Sequence, residues 1–546
     1  MIACLPLSTI YGLQRQRGAQ AQTAFPPGIL EALRPEVLET HVEFLAHDLL
    51  SGRAPGSTGG DLAALYLATR LQAYGLKPGS GSSFLQWLEF TAMRSTASVV
   101  VGAQRRTLAL EAGEDFVIWP ERAESVTTLD GELIFAGYGI EAPEWNWDDY
   151  KGTPFGGKIL LVLSNDPGLR DSSIFKGRTL TRYGWWSYKL AQAARVGAAG
   201  VLLIHSRETV GEAWDAVRTA WEKEQLRSER EPPHTLRFAG WITSDAARRI
   251  VALTGKDYEL VLRRAQSREF RPLELGGHLA VDIRSTLRRV RSPNVVGVLE
   301  GRDPEMKDEA VVLLAHYDGY GVGRPVRGDS VYNGAVDNAA GVAALLGAAE
   351  ALGRSPIAPR RSILFLFTTA GEYRFRGAEG YLAQPAFPAS RTVAVVNLDM
   401  GNLWGTTTDV AGVGAELSTL GESLAQVARA EGATPTPDPE PDKNSFFRSD
   451  HLPFAQTGIP SLLLRPGHNY ASKPPGWGRE QQLRYYQERF HQPQDDPRPE
   501  YDYNGLVQQA RLVTRLAWLL AQSATYPEWS PSSEFRAAGQ RLRQLR

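Results

Sequence analysis

Three apolar runs in the second half of the chain each lead to residues that can bind a cation or move a proton. Ala310 to Ala315 runs into His316 and then Asp318, Ile363 to Phe367 leads to Gly371 and Glu372, and Val393 to Leu398 runs into Asp399. Each run is continuously apolar rather than alternating, the pattern of a strand covered on both faces, as in a largely parallel sheet. Residues just past the carboxyl ends of such strands share one edge, where open α/β sheets bind their ligands. The expected fold is α/β, a mixed, mostly parallel sheet flanked by helices.

Two further residues extend the set. Asp337 stands just ahead of Gly341 to Leu352, whose Ala- and Leu-rich composition is strongly helical, and His491 follows far downstream. A carboxylate at a helix start can be drawn to cations or simply cap the helix. A lone His after an apolar strand is more often a packed core residue than a ligand. The joint pattern changes that balance, because chance rarely sets two His and three carboxylates at the ends of successive elements. Mixed imidazole and carboxylate donors suit zinc, and a shared carboxylate suits two ions about 3.5 to 4 Å apart. Asp318 is expected to accept the second ring proton of His316 and orient it.

The chain resembles the co-catalytic di-zinc aminopeptidases, in the branch with an inserted protease-associated domain. The matching segments are His316-Tyr317-Asp318, Asn333 to Asn338, Asn397 to Met400, Ser449-Asp450-His451, Gly458-Ile459-Pro460 and Phe490 to Asp495. Glu43 to Pro78, with Leu50-Ser51-Gly52-Arg53, is similar to the family's opening helix and Gly-Arg turn. The resemblance implies two zinc ions, one held by His316 and Asp399, the other by Glu372 and His491, with Asp337 bridging. It excludes His451 as a ligand and makes a peptide the expected substrate.

The chain departs from the family at its chemistry. The family carries a pair of glutamates, general base then ligand, followed by Gly-Leu-x-Gly-Ser. Aligning Gly377-Ala378 with that Gly-Ser places Gly371 on the base and Glu372 on the ligand, with Arg374 and Phe375 replacing Gly-Leu. The other register, with Glu372 as base and Tyr373 as ligand, needs a deletion. Phe446 and Phe447 stand where relatives often carry a tyrosine that donates to the oxyanion. A base contributes about 10² to 10⁴ in rate and an oxyanion donor about 10² to 10³, so slow chemistry is expected. Gly371→Glu is then expected to raise kcat at least ~10-fold. Glu379 reads as a solvated residue.

With 546 residues the chain exceeds a single ordinary core. Residues 1–30 read as a remnant leader, 31–125 as the N-terminal part of the peptidase domain, 126–290 as the inserted domain and 291–546 as the peptidase domain with the metal site. The insert opens at Gly131 to Tyr138, where a β-rich segment begins, and ends at Arg288 to Pro293. His205, at a strand end within it, reads as structural. The formal net charge of -1 excludes a nucleic-acid footprint, and the single cysteine, Cys4, excludes an intrachain disulfide. No apolar run of ~18 residues marks a membrane span. Ala19-Gln20-Ala21 resembles a leader cleavage site without a basic segment before it, and relatives in this branch are commonly exported. The expected location is periplasmic or extracellular, with a cytoplasmic one left open.

The expected function is zinc-dependent removal of N-terminal residues from peptides. A zinc- and peptide-binding protein without turnover is the alternative, and a single-zinc glutaminyl-cyclase-like enzyme is disfavoured because ligands for both ions are retained.

Overall fold

The computed structural model describes residues 25–228 and 235–546. Most of the leader-like stretch lies outside them. Helices α1 (Pro35–Leu45) and α2 (Thr58–Ala73) come first, the second started by the Ser57 hydroxyl, which accepts from the Gly60 amide. Then follow β1 (Leu85–Ala103), β2 (Phe116–Pro120), β3 (Val126–Phe135), β4 (Ile159–Leu163), α3 (Trp186–Arg195), β5 (Gly200–His205), α4 (Trp214–Glu222), β6 (Phe238–Thr243) and the long β7 (Leu273–Leu299). The remaining principal elements are β8 (Ala310–His316), α5 (Gly341–Gly353), β9 (Ser362–Thr368), β10 (Thr392–Asn397), β11 (Asp409–Val413), β12 (Thr434–Thr436), β13 (Ser461–Pro466) and α6 (Asn504–Gln522).

These strands share one mixed sheet in the order β12-β11-β13-β10-β8-β9-β7-β3-β4-β5-β6-β2. Strands β9, β8, β10 and β13 are parallel neighbours, and so are β3, β4, β5 and β6. The antiparallel β7 joins the two blocks. The expected mixed, mostly parallel sheet flanked by helices is therefore the observed one.

Both faces of the central strands are buried, as their unbroken apolar runs require. Val311, Leu313 and Ala315 point into a core shared with α1, α2, α5 and α6, while Val312 and Leu314 meet Tyr381 and Phe454 on the other face. Among the described residues one helical stretch, Ala335–Gly353, is long and apolar enough to cross a membrane, and it is wholly buried.

The division expected between residues 125 and 126 lies elsewhere. Val99, Val101, Leu110, Phe116 and Ile118, assigned from composition to the peptidase side, pack with Leu133, Phe135, Leu279 and Ile283 in the inserted unit. The cause is β1, which passes from one core to the other without a break: Leu85 pairs with Val295 near the central strands, and Gly102 pairs with His278 inside the insert. A strand that continues through two cores offers no change of composition to read. Excising residues 131–290 would strip β1 of its partner and leave Val99, Val101 and Phe116 without a core.

Candidate metal centre

The carboxyl ends of β8, β9 and β10 deliver their polar residues to one edge, and the turn before α5 meets them there. Asp337 occupies the middle: its Oδ1 stands 3.2 Å from His316 Nε2 and its Oδ2 stands 3.5 Å from His491 Nε2. Asp399 Oδ1 is 3.6 Å from His316 Nε2, and Glu372 Oε2 is 3.7 Å from His491 Nε2. The five residues thus form two groups, His316-Asp337-Asp399 and Asp337-Glu372-His491, whose donor atoms lie within 4.8 Å of one another in each. Two trios of nitrogen and oxygen donors around a common carboxylate are a fitting donor set for zinc.

Local structure aims each donor. Asp495 accepts the amides of Val336 and Asp337, each at 3.0 Å, which fixes the turn that carries Asp337. The Asn338 side chain donates to Leu398 O at 2.9 Å and accepts from the Met400 amide at 3.0 Å, tying that turn to the Asp399 loop. Ser449 donates from its hydroxyl to Asp399 Oδ2. Beneath the site, the buried Arg53 guanidinium donates to the carbonyls of Tyr317 at 2.8 Å, Asn333 at 2.6 Å and Gly334 at 3.2 Å, and also to that of Leu45. Ala370, Met400 and His491 adopt left-handed φ of 53°, 74° and 57°. Side chains disfavour that region, and such residues gather where a surrounding structure holds a site. The His491 ring is stacked on Phe490 with centroids 3.7 Å apart and meets Tyr320 at 4.7 Å.

Asp318 faces both His316 and the turn that carries Glu372. Its carboxylate stands 3.7 Å from His316 Nδ1, and its backbone carbonyl is nearer at 3.3 Å. The carboxylate also accepts the amides of Gly371 at 2.8 Å and Glu372 at 3.3 Å, so it shapes the turn that carries Glu372. Strand ends at β8 and β9 are adjacent, and the two free amides of the turn hold the carboxylate there.

The cluster is electrostatically taut. Burial alone would lower the His316 pKa, but Asp318, Asp337 and Asp399 outweigh it and hold the imidazole well above its ordinary value. Burial would raise Asp337, yet His316 and His491 keep it well below the usual carboxylate range. Glu372 is raised, by burial first, with Asp337 adding to it.

At Gly371 the backbone passes so close to its neighbours that a Cβ would lie 2.5 Å from His316 Cβ and 2.8 Å from Asp450 Oδ2. This overturns the expectation that a glutamate there would restore speed, because the position has no room for its first carbon. Gly371→Ala is expected to destabilise the protein by about 1 to 3 kcal/mol through overpacking. It should also weaken zinc retention by displacing His316. Denaturant unfolding and metal analysis of the variant check both.

Several functional neighbours escaped sequence reasoning. Lys223, just after α4 in the insert, buries its ammonium against the metal edge, donating to Glu372 O at 2.9 Å and sitting 3.6 Å and 4.0 Å from the ring centres of Tyr320 and Tyr373. Burial lowers its pKa to about 8, with Glu372 and Asp318 pulling it back up. Arg374 bonds to Glu121 at 3.2 Å and lies over Trp186 and Trp221. This explains why Gly-Leu is replaced there: the turn is a docking point for the insert. Trp185, Trp186 and Trp221 of the insert and Met400, Tyr486 and Phe490 opposite wall a cleft whose floor is the metal edge. None of these long-range partners leaves a local mark in the sequence.

The remaining candidates stand apart from the trios. His451 is buried, its Nδ1 is 3.2 Å from Asn397 Nδ2, and burial lowers its pKa to about 3. His205 Nε2 lies 3.1 Å from Glu212 O, and burial lowers its pKa to about 4, as suits a neutral structural imidazole. Glu379 is exposed and bonded to Arg376.

Comparison with known proteins shows a likeness of fold. The aminopeptidase from Aneurinibacillus sp. strain AM-1 superposes with a TM-score of 0.53 at 17% identity, over 91% of this chain and 98% of that one. At that identity the likeness is one of fold. BSAP, a zinc aminopeptidase from Bacillus subtilis, matches at 18% identity over 89% of this chain and 94% of its own, with a TM-score of 0.46. A Peptidase M28 precursor from Shewanella amazonensis matches at 16% identity over 91% and 99%, also with a TM-score of 0.46. Residues 294–517, which carry all five donors, match the model of peptidase family M28.

Proposed function

We propose that this protein is a zinc-dependent aminopeptidase that removes N-terminal residues from peptides, with His316 and Asp399 holding one ion, Glu372 and His491 a second, and Asp337 between them. The observation that carries the reading is the pair of donor trios sharing Asp337 at the floor of a walled cleft. Zinc bound there would polarise a peptide carbonyl and lower the pKa of water. The chain's own residues supply the rest. The Trp185, Trp186 and Trp221 wall offers apolar surface to a substrate side chain and keeps bulk water from the floor, which strengthens every polar contact inside. Ser449 and Asn338 hold the carboxylates in place. Burial, with Glu372 and Asp337 adding to it, keeps the Tyr320 phenol well above its ordinary pKa, so it remains a hydrogen-bond donor at the floor, where Phe446 and Phe447 offer none.

One observation favours the non-catalytic alternative: no side chain can grow from position 371 without displacing His316 or Asp450. The β-rich unit over the cleft is read as a protease-associated domain, on its mixed sheet and flanking helices.

The two readings separate in one experiment. Zinc-loaded protein is expected to contain close to two ions per chain and to cleave a panel of aminoacyl anilides, with cleavage lost when the substrate amine is acetylated. A protein that retains zinc and binds peptides but releases no anilide is the inert binder. Cleavage that survives acetylation rejects the aminopeptidase assignment.

A further inference from the structure

Position 371 lacks a carboxylate, yet a carboxylate stands against it. A Cβ built on Gly371 would point at Asp450 Oδ2, 2.8 Å away. Asp450 is therefore packed into the direction in which a side chain from 371 would have grown. It is 1% exposed and lines the same cleft as His316, Asp337, Glu372, Asp399 and His491.

Its bonding leaves one oxygen free. Oδ1 accepts from the Thr368 hydroxyl at 3.0 Å, which fixes the carboxyl plane. Oδ2 has no hydrogen bond and no cation in ion-pair range among the described residues. The other carboxylates nearby are committed: Asp337, Glu372 and Asp399 to the donor trios, Asp318 to the amides of Gly371 and Glu372, Asp495 to the amides of Val336 and Asp337, and Glu212 to Arg448.

We propose that Asp450 is the proton-transfer carboxylate of this site, displaced from the strand-end turn of β9 to the Ser449-Asp450-His451 segment. The role rests on the peptidase reading above. Asp450 Oδ2 takes one proton from the attacking water as the water oxygen bonds to the peptide carbonyl carbon. It returns that proton to the departing amine nitrogen as the carbon–nitrogen bond breaks, which leaves the carboxylate as it began. A positioned carboxylate of this kind, held with one oxygen unengaged, is the group that general acid–base chemistry requires.

Asp450→Asn preserves shape and the bond to Thr368 while removing the basic oxygen. It is expected to lower kcat by about 10² to 10⁴. Zinc content, thermal stability and affinity for a non-hydrolysable peptide hydroxamate should stay as in the parent. In Asp450→Ala, added sodium formate should restore at least ~10-fold of the lost rate, the low end of what a positioned base supplies. Loss of zinc or of hydroxamate affinity in Asp450→Asn, with no formate rescue of Asp450→Ala, would show a structural role and overturn the proposal. So would an Asp450→Asn variant as fast as a functioning parent, and in that case the peptidase reading would stand. A zinc-loaded parent that cleaves nothing would sink the peptidase reading and the Asp450 role together.

Discussion

Asp337→Ala is expected to empty both halves of the metal centre at once. In the intact protein each trio has three donors, and Asp337 is the one they share. Its loss leaves His316 with Asp399 alone and His491 with Glu372 alone, below the three protein ligands that a catalytic zinc normally keeps. Losing an outer partner of a ligand typically costs 10- to 100-fold in metal affinity, so losing the shared ligand should exceed roughly 100-fold at each position. Metal analysis after dialysis against a weak chelator reads this directly. His316→Ala and His491→Ala should each spare one ion. Retention of one full equivalent in Asp337→Ala would show that the trios are independent.

Arg53→Met should be nearly as damaging, although Arg53 touches no donor. Its guanidinium is 1% exposed and serves the carbonyls of Leu45, Tyr317, Asn333 and Gly334. Burial lowers its pKa to about 10, with Asp318, Asp495, Asp337 and Glu372 drawing it back, so it stays charged at neutral pH. Methionine fills a similar volume but strands those buried carbonyls, each worth about 1 to 3 kcal/mol when unsatisfied. These losses do not simply add, and a destabilisation of at least ~3 kcal/mol is expected. Because Tyr317 and Asn333-Gly334 adjoin His316 and Asp337, zinc affinity should fall as well, by about 10- to 100-fold. Arg53→Lys should rescue little, since an ammonium cannot reproduce the planar fork. Urea unfolding and zinc titration check the pair, and a variant as stable as the parent would refute this account.

Much of the site was legible because strand ends are local. An apolar run that stops on His316 or Asp399 announces both the strand and the edge to which its last residue belongs. Asp337 and His491 became legible only in company, since each alone reads as a cap or a core residue. What could not be read was whatever depends on distant partners. Lys223 reaches Glu372 across 149 residues of sequence, and nothing around it in the chain differs from an ordinary surface helix end. Arg374 reads as an anomaly until Glu121 and the tryptophans of the insert are placed beside it. The crowding at Gly371 is likewise invisible, because the atoms that fill the space come from His316 and Asp450. The domain division failed for the opposite reason: β1 and β7 keep one extended pattern through two cores.

That pair of strands also sets how the cleft can open. Paired from Leu85 with Val295 to Gly102 with His278, they make a beam roughly 55 to 60 Å long. The tryptophan wall is mounted on its far part and the donor trios on its root, so the two sides of the cleft are joined by continuous paired strands. From Arg284 to Arg289 the side chains of β7 are largely exposed between the two cores, and the short segment Gln225–Ser228 pairs with β1 alongside them. A cross-link placed in those six residues is expected to change how large a ligand the cleft admits without altering an atom that the ligand touches.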